Sequence, residues 1–457
     1  MKIVIVGAVA CGTKTASKIR RLSKDTEIVL IDKTDIISYG ACGLPYFLSD
    51  EIDRIEKLYS SRKGPRNKEY FENEKNIDRV LLNTEALSID RNRKILTLKD
   101  LKTGGIFEES YDKLVIATGA DAIRPPLENI DAHNIFNLKR PEDGVNIKEL
   151  LKSGKTKKPV IIGGGLIGIE VAEAIRKYDL PVKIIDMAET VLPNLFDKEM
   201  TEDIHEEIKN NGVELLLKSK VQKFLKDDQG NVSGILINDD IIETDMVILA
   251  IGFKPVTKFA EKAGLNTAKN GGLTVDQYLM TSDPDIYAGG DCVMNKNVIS
   301  KDLVYTPLGD IANIHGRIIA NNIIKGNKTK YDGVSQNAVT KFMGIKMGAV
   351  GFNEKTAIEK GFDVISCIIK SHDKAGYYPD KKRLKLKMVA DRKSEKILGI
   401  QVTGSGNVSK ALNTISMGLF FGVKIKHMSN ADLAYSPAFS PALDVLIVAA
   451  NVLENKL

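Results

Sequence analysis

The chain has few cysteines and no long apolar run, and both shortages restrict what it can be. Four cysteines occur in 457 residues, too few for a disulfide scaffold and typical of a protein from a reducing cytoplasm. No stretch of about 18 residues is apolar throughout, so we expect no membrane-spanning helix. The amino-terminal Met-Lys-Ile-Val-Ile-Val-Gly enters a glycine turn and lacks the features of a cleaved signal segment. We therefore expect a cytoplasmic protein that does not bind a membrane.

Histidine and concentrated charge are also scarce. The five histidines are scattered without metal-ligand spacing, which predicts no metal site. The net charge of +6 is modest, and aromatic residues are not interleaved with the basic ones, so we expect no nucleic-acid binding. A chain of 457 residues is too long for one core, which predicts two or three domains.

One plan occurs twice along the chain: a strand, a glycine turn, a helix, a second strand and an acid. The first copy starts with the strand Lys2–Val6 and closes on Asp32, and the second starts with Lys158–Ile162 and closes on Asp186. This order is that of the βαβ unit that binds dinucleotides. Two copies predict that one chain binds two dinucleotides.

The second copy carries the complete glycine fingerprint, Gly163-x-Gly165-x-x-Gly168. The first glycine makes the turn, the second lets the pyrophosphate approach the backbone, and the third lets the helix pack on the strand. Asp186 would accept hydrogen bonds from the ribose hydroxyls of NADH and repel the 2′-phosphate of NADPH. No Arg or Lys follows it within five positions, so the sequence favours NADH.

The first copy, Gly7-x-Val9-x-x-Gly12, has valine in the middle glycine position. An ordinary strand–helix turn is the alternative, but Asp32 ends the second strand where a ribose acid is expected, and we interpret the copy as an FAD site. A later glycine turn ending in Gly290-Asp291 is typical of the segment that holds the ribitol and pyrophosphate of FAD. Further residues expected at the two nucleotide sites are Ala10, Lys33, Ala117, Thr118, Gly119 and Gly252.

A single cysteine, Cys42, lies in the segment Ser-Tyr-Gly-Ala-Cys-Gly-Leu-Pro that ends at Pro45. The proline predicts a helix start, and a helix N-terminus favours the thiolate over the thiol. No second cysteine stands at C-x-x-C or C-x4-C spacing, which indicates redox chemistry through one sulfur. A buried small residue is the alternative interpretation of Cys42, and the one that we favour for Cys11, Cys292 and Cys367.

The chain changes character after about residue 330. Apolar and polar residues alternate within 336–350, 363–369, 384–389 and 397–402, and helical patterns follow at 409–421 and 441–452. This predicts an α+β domain with an antiparallel sheet. The predicted fold class is α/β, with an FAD domain from 1–120 and 253–330, an NADH domain from 121–252 and a C-terminal domain from 331–457.

The ordered set of motifs resembles the pyridine nucleotide-disulfide oxidoreductases with one active-site cysteine. These include coenzyme A disulfide reductases, NADH oxidases, NADH peroxidases and sulfur or persulfide reductases. The resemblance spans essentially the whole chain and ends in Ala434-Tyr435-Ser436-Pro437. It implies two Rossmann-like domains arranged as in glutathione reductase, a homodimer formed through the C-terminal domain, and electron transfer from NADH through FAD to Cys42.

The resemblance also implies roles for individual residues. Ala10 stands where the oxidases and peroxidases commonly have a histidine, so the turn is more similar to that of coenzyme A disulfide reductases. Tyr377 and Tyr435 match tyrosines that those enzymes supply from the partner subunit, with packing at the dimer interface as the alternative. The positions that match substrate-binding ones are Lys18, Arg21, Ser38, Lys75 and Lys410.

Two departures from the coenzyme A enzymes affect the expected substrate. Ala41 replaces an asparagine before the cysteine, and Ala411 replaces an arginine beside Lys410. Three functions therefore stay open. The first is NADH-dependent reduction of a small disulfide, persulfide or polysulfide, with coenzyme A disulfide leading. The second is NADH oxidation by dioxygen through a sulfenic acid on Cys42, and the third is a redox-sensing flavoprotein that binds a partner.

Overall fold

The computed structural model describes residues 1–62 and 64–457. Up to Ala122 the strands are β1 Lys2–Val6, β2 Glu27–Ile31, β3 Ser60–Ser61, β4 Gly64–Pro65, β5 Arg79–Leu81, β6 Thr84–Asp90, β7 Ile95–Asp100, β8 Ile106–Ser110, β9 Lys113–Ile116 and β10 Ala120–Ala122. The helices of this part are α1 Cys11–Leu22 and α2 Leu44–Leu48, with 3-10 turns at Ala41–Gly43 and Ile55–Tyr59 and a π-helical turn at Tyr70–Glu74.

The middle of the chain alternates strands and helices. Its elements are β11 Ile135–Asn137, α3 Pro141–Lys152, β12 Pro159–Ile162, α4 Leu166–Arg176, β13 Val182–Ile185, α5 Lys198–Asn210, β14 Val213–Leu216, β15 Val221–Lys226, β16 Val232–Ile237, β17 Asp240–Glu243, β18 Met246–Leu249 and β19 Phe253–Pro255. The elements that follow are α6 Lys258–Lys262, β20 Ile286–Ala288, β21 Asn295–Lys296, β22 Leu303–Val304 and α7 Gly309–Lys325.

The C-terminal part begins with a β-hairpin and ends in helices. Its elements are β23 Ala338–Phe342, β24 Ile345–Gly351, α8 Glu354–Glu359, β25 Val364–His372, β26 Arg383–Asp391, β27 Ile397–Gly404, α9 Val408–Phe420, α10 Ile425–Ser429 and α11 Val445–Glu454. None of the helices in the described part of the chain is long and apolar enough to cross a membrane.

Two five-stranded parallel sheets carry the repeated plan. The first has the strand order β20-β9-β1-β2-β5, and the second has the corresponding order β11-β18-β12-β13-β14. The central strands are buried on both faces: Ile3, Val4 and Ile5 of β1 have no exposed area, as expected for a strand covered on both sides. The fold class predicted from the sequence is confirmed, because both sheets are parallel and covered by helices.

The chain passes between the two parallel sheets through a pair of short strands. β10 pairs with β19 in antiparallel fashion, with Ala120 opposite Pro255 and Ala122 opposite Phe253. This pairing lies at the domain limits expected from the sequence, near residues 120 and 253.

The C-terminal part forms the predicted antiparallel sheet. Its strand order is β23-β24-β27-β26-β25, and every neighbouring pair is antiparallel. Helix α11 begins at Val445 and not at the predicted position 441, because the Asp444 side chain accepts a hydrogen bond from Leu446 N and caps the helix at that point.

A buried lysine joins the C-terminal sheet to the segment around α5. The Nζ atom of Lys387, whose side chain is 2% exposed, lies 2.9 Å from Asp197 Oδ2 and 2.5 Å from Glu354 Oε2, and it also contacts Glu199. Gln401 Nε2 donates to Asp197 Oδ2 at 2.6 Å. These three carboxylates enclose the ammonium group and satisfy its charge.

Candidate active site

The turn between β1 and α1 packs three backbone segments against one another. Gly7 has a φ of +106°, and a Cβ atom there would lie 2.1 Å from the carbonyl oxygen of Ala117. A Cβ on Gly12 would lie 1.7 Å from the carbonyl oxygen of Gly7. The buried carboxylate of Asp32 accepts a hydrogen bond from Ala8 N at 2.6 Å. Only glycine fits the first position, and the acid at the end of β2 holds the turn.

The turn between β12 and α4 is built in the same way. Gly163 has a φ of +111°, and a Cβ there would lie 2.4 Å from the carbonyl oxygen of Ala250. Asp186 Oδ2 accepts from Gly164 N at 2.6 Å, and Asp186 Oδ1 accepts from Ala188 N at 2.8 Å. The repeat seen in the sequence is therefore a repeat of hydrogen bonds as well as of elements.

Both turns fit a dinucleotide. A Cβ on Gly119 or on Gly165 would meet nothing within 4 Å, so space lies in front of the backbone where a pyrophosphate would approach. The first turns of α1 and α4 carry no acidic residue, and their free N–H groups attract an anion. The donor groups and the space at each turn suit the pyrophosphate of a dinucleotide, as expected for the FAD and NADH sites.

The remaining residues expected at the nucleotide sites lie around these two turns. Thr118 Oγ1 donates to the carbonyl oxygen of Val256 at 2.5 Å, and the carbonyl oxygen of Asp291 accepts from Tyr305 at 3.0 Å. Val9 and Ala10 directly precede α1, Lys33 follows β2 and pairs with Asp121 at 3.4 Å, Gly252 follows β18, and Gly290 follows β20.

Cys42 differs from the other cysteines in its exposure. It is exposed, whereas Cys11, Cys292 and Cys367 are buried, and all four thiols are free. It lies in the 3-10 turn Ala41–Gly43 immediately before α2. The predicted position at a helix start is thus what the structure has, and among these thiols Cys42 is the one that a substrate can reach.

The expectation that the helix favours the Cys42 thiolate is wrong for this structure. Partial burial of the thiol raises the pKa of Cys42, the carboxylates of Glu170 and Asp291 raise it further, and Lys139 opposes them. Helix α2 has only five residues, so its dipole is small and does not outweigh the burial and the two negative charges.

Lys139 is a site residue that the sequence analysis missed. Its Nζ atom lies 3.3 Å from Asp291 Oδ2 and 4.6 Å from the centre of the Phe253 ring, and it is a positive charge that lowers the pKa of Cys42. It directly precedes the Arg140-Pro141 start of α3, a position that no spacing rule connects with Cys42.

Glu170 is a second residue that was missed. It lies in α4, two positions after the last glycine of the fingerprint, and it accepts a hydrogen bond from Thr340 Oγ1 at 2.7 Å. Burial raises the pKa of Glu170, the hydrogen bond from Thr340 opposes this, and the charge of Glu173 adds to it. The available signal was an acid in the otherwise apolar helical stretch Leu166–Ala172.

The two predicted catalytic tyrosines lie together on the surface of the C-terminal part. Tyr377 is 77% exposed and Tyr435 is 52% exposed, and hydrogen bonding to Tyr435 raises the pKa of Tyr377. Ala375 N donates to the carbonyl oxygen of Pro437 at 3.1 Å and ties the two segments together. The pair therefore forms within one subunit and faces outward.

The predicted substrate-binding residues fall into two groups. Lys18 and Arg21 lie on α1, Ser38 N donates to the carbonyl oxygen of Ala8 at 2.8 Å, and Lys75 Nζ lies 5.0 Å from the centre of the Tyr70 ring. Lys410 is separate, because its Nζ atom pairs with Asp444 Oδ2 at 2.7 Å in the C-terminal part. The structure thus connects Ser38 directly with the first turn, places Lys18 and Arg21 further along the helix that follows it, and gives Lys410 an ion-pair partner.

Comparison with protein families agrees with this geometry. A family model for pyridine nucleotide-disulphide oxidoreductases matches residues 1–307, and the dimerisation domain of the same family matches residues 338–446. The chain belongs to the pyridine nucleotide-disulfide oxidoreductases. It is an FAD-dependent enzyme of this family that takes NADH, and the resemblance seen in the sequence is confirmed.

Relatives within this family carry two kinds of name. The chain is 31% identical to an NADH oxidase of Methanocaldococcus jannaschii, over 100% of this chain and 99% of that protein. It is 32% identical to an NAD(P)H coenzyme A polysulfide/persulfide reductase of Pyrococcus horikoshii, over 99% and 98%. A solved NAD-dependent persulfide reductase from A. fulgidus matches with a TM-score of 0.96 and 38% identity, covering 100% of this chain and 83% of that one.

The dimerisation domain of this oxidoreductase also carries exposed apolar side chains. Phe421 is 78% exposed, Phe439 is 76% exposed and Met417 is 62% exposed. Groups of this size are seldom left in water when a partner surface can cover them. Together with the matched dimerisation domain, they support the homodimer expected from the sequence.

Proposed function

We propose that this enzyme uses NADH to reduce a small disulfide, persulfide or polysulfide through the single sulfur of Cys42. The observation that carries the proposal is that Cys42 is exposed in the active-site turn while the other three cysteines are buried. A dithiol mechanism would need a second reachable thiol nearby. The persulfide reductase names among the relatives support the same class of acceptor.

The chain's own residues account for the sulfur chemistry. The Cys42 thiolate attacks one sulfur of the acceptor, the acceptor's S–S bond breaks, and the second sulfur leaves with the bonding electron pair. Lys139 provides positive charge that favours the thiolate, against the carboxylates of Glu170 and Asp291. FAD held at the first turn and beside Asp291 would supply the electron pair from NADH that splits the mixed disulfide left on Cys42, returning the Cys42 sulfur to a thiolate and releasing the second half of the acceptor.

The proton for the leaving sulfur comes, in this proposal, from a tyrosine of the second subunit. Tyr377 and Tyr435 lie on the exposed surface of the dimerisation domain, where a second copy of the chain would meet them. A phenol holds its proton near neutral pH, and hydrogen bonding to Tyr435 raises the pKa of Tyr377 further. A neutral phenol can donate a proton to a thiolate that is about to leave.

The substrate would be held by basic residues of α1 and by Lys75, together with Ser38. Lys18 and Arg21 lie on α1, Ser38 N donates to the carbonyl oxygen of Ala8 in the first turn, and Lys75 Nζ lies over the Tyr70 ring. Such residues suit an anionic acceptor, including one that carries phosphate. Lys410 contributes less to this proposal, because Asp444 already neutralises it. We also propose a reducing cytoplasm as the location, since all four thiols are free.

An anaerobic NADH assay with several acceptors tests the proposal. We expect faster NADH oxidation with coenzyme A disulfide or polysulfide than with cystine, glutathione disulfide or no acceptor. Equal rates with every disulfide would show that the basic residues do not select the substrate. An absence of turnover with all sulfur acceptors would overturn the proposal.

Reduction of dioxygen is the second candidate function. The relative named NADH oxidase is as similar to this chain as the persulfide reductases are. Against it, Ala10 stands where oxidases commonly have a histidine, so the acid–base group of those enzymes is missing here. Air-driven NADH oxidation as fast as the anaerobic rate with the best sulfur acceptor would favour this alternative.

A further inference from the structure

A buried histidine lies directly behind the Gly289–Asp291 turn of the flavin site. His315 belongs to α7 and has no exposed area. Its Nδ1 atom accepts a hydrogen bond from Gly290 N at 3.1 Å. A Cβ atom on Gly289 would lie 2.9 Å from the Cβ of His315, so the side chain and the turn are in close contact.

The hydrogen bond determines the tautomer of His315. Because Nδ1 accepts from a backbone N–H, the ring proton is on Nε2. Within the part of the chain that the structure describes, Nε2 is buried and finds no hydrogen-bond partner. The ring instead packs against Tyr331 in a T-shaped arrangement, with centroids 4.5 Å apart and an interplanar angle of 86°.

The histidine must stay neutral for this arrangement to hold. A protonated ring would lose the acceptor at Nδ1 and leave the Gly290 N–H unpaired. Burial lowers the pKa of His315 to about 3, so the neutral form is the one present near neutral pH. His315 is thus a fixed hydrogen-bond acceptor placed against a backbone N–H.

The turn that His315 holds carries the acid expected to bind the flavin ribitol. Three contacts hold Gly290 and Asp291 in place. His315 accepts a hydrogen bond from Gly290 N, and Tyr305 donates to the Asp291 carbonyl oxygen. Lys139 Nζ lies 3.3 Å from the Asp291 carboxylate. Without the first contact, a buried backbone donor is unsatisfied and the turn can rotate to find another partner. Rotation of the turn would redirect the carboxylate.

We propose that His315 is a positioning residue for FAD, holding the Gly289–Asp291 turn through its neutral Nδ1 so that Asp291 faces the ribitol. His315 does not itself reach the reacting atoms. The proposal rests on flavin binding and is independent of which acceptor the enzyme reduces. A negative sulfur-acceptor assay therefore does not affect the proposed role of His315. Likewise, normal FAD binding by the His315 variants does not affect the proposed function.

Two substitutions separate hydrogen bonding from packing. His315→Asn can place its amide oxygen where Nδ1 was but loses contact with Tyr331, whereas His315→Leu keeps apolar contact but removes the acceptor. We expect His315→Leu to raise the rate constant of FAD dissociation about tenfold, and His315→Asn to stay near wild type. For the thermal midpoint of the apoprotein we expect the reverse ranking, with a larger decrease in His315→Asn than in His315→Leu. His133→Leu, at an exposed histidine, is the control.

The measurement is the recovery of free-flavin fluorescence after dilution of the purified holoenzyme. If only packing mattered, the variant with the less stable apoprotein would release FAD faster, so FAD would dissociate faster from His315→Asn than from His315→Leu. That result would overturn the proposal. So would a His315→Leu rate equal to wild type. If His315→Leu yields no folded protein, His315→Gln replaces it, because its longer amide cannot occupy the Nδ1 position and should also release FAD faster.

Discussion

At the scale of single residues, the chemistry depends on the exposed sulfur of Cys42 and on the carboxylate of Glu170, which raises the pKa of that thiol. The other cysteines have environments that suppress reactivity: burial raises the pKa of Cys292 to about 11 and that of Cys11 still further. Cys42 also has a raised pKa, but it is exposed. Access, more than acidity, therefore distinguishes it from the rest.

Replacing the sulfur tests this distinction. We expect Cys42→Ser to bind FAD and to be reduced by NADH as wild type is, but to lose disulfide reduction by several orders of magnitude, because the nucleophile is gone. Flavin absorbance and anaerobic NADH oxidation measure the two properties. Cys367→Ser, in β25, is the matched control and should keep both. A Cys42→Ser enzyme that still reduces disulfides would remove Cys42 from the mechanism.

The negative charge of Glu170 gives a prediction on pH. Glu170 raises the pKa of Cys42, so Glu170→Gln should lower that pKa and increase the thiolate fraction at pH values below it. We expect alkylation of reduced Cys42 by iodoacetamide near pH 7.5 to become about three- to tenfold faster, because a larger fraction of the thiol is ionised. The pH profile of the alkylation rate, which rises as the thiol ionises, measures the shift.

Glu173→Gln is the control for that experiment. Glu173 lies three positions further along α4, and its carboxylate pairs with Lys341 Nζ at 2.8 Å. We expect its substitution to leave the alkylation profile of Cys42 where it was. Identical profiles for Glu170→Gln and wild type would contradict the electrostatic account of the cysteine.

At the scale of elements, the two strand–turn–helix units are built alike and are expected to bind different dinucleotides, so matching substitutions should have separable effects. We expect Gly7→Ala to yield protein without FAD, because a Cβ would overlap the Ala117 carbonyl. We expect Gly163→Ala to retain FAD but to lose reduction of the flavin by NADH, because the same overlap occurs with Ala250.

Flavin content and the rate of anaerobic bleaching by NADH measure the two effects. Gly154→Ala, in the connection after α3 where a Cβ would meet nothing within 4 Å, is the control for replacing a glycine with positive φ. Loss of FAD in Gly163→Ala, or retention of FAD together with fast bleaching in both variants, would contradict the assignment of the two turns.

Local sequence predicted these units well, because their signals are short and continuous. The first apolar run was predicted at Lys2–Val6 and forms β1 there, and the second, predicted at Lys158–Ile162, forms β12 Pro159–Ile162. The surroundings of Cys42 were not predicted. Lys139 and Glu170 act on its pKa from other elements, and no local pattern records which side chains a fold brings together.

At the scale of the whole molecule, the account requires two subunits for each active site. The outward-facing Tyr377 and Tyr435 lie in the dimerisation domain, and the proposal has them act on Cys42 of the partner subunit. The domain limits expected from the sequence stay a prediction, although β10 and β19 pair where the chain was expected to cross between units.

Hybrid dimers test this arrangement. A subunit with Cys42→Ser and a subunit with Tyr377→Phe and Tyr435→Phe should each form weakly active homodimers, with the tyrosine variant reduced about 10²-fold or more. The hybrid should recover about half of the wild-type rate, because one of its two sites combines an intact cysteine with intact tyrosines. Differently tagged subunits allow the hybrid to be purified and assayed. A hybrid no faster than the homodimers would place the tyrosines outside the reaction.

The most direct test of the account is to map the covalent intermediate. The purified oxidised enzyme is first reduced by NADH without oxygen, freed of nucleotide, and mixed with excess disulfide acceptor before mass analysis of its peptides. The account predicts one mixed disulfide, on the peptide that contains Cys42, which disappears when NADH is added again. Turnover without any adduct on Cys42, or with the adduct on Cys11, Cys292 or Cys367, would contradict it.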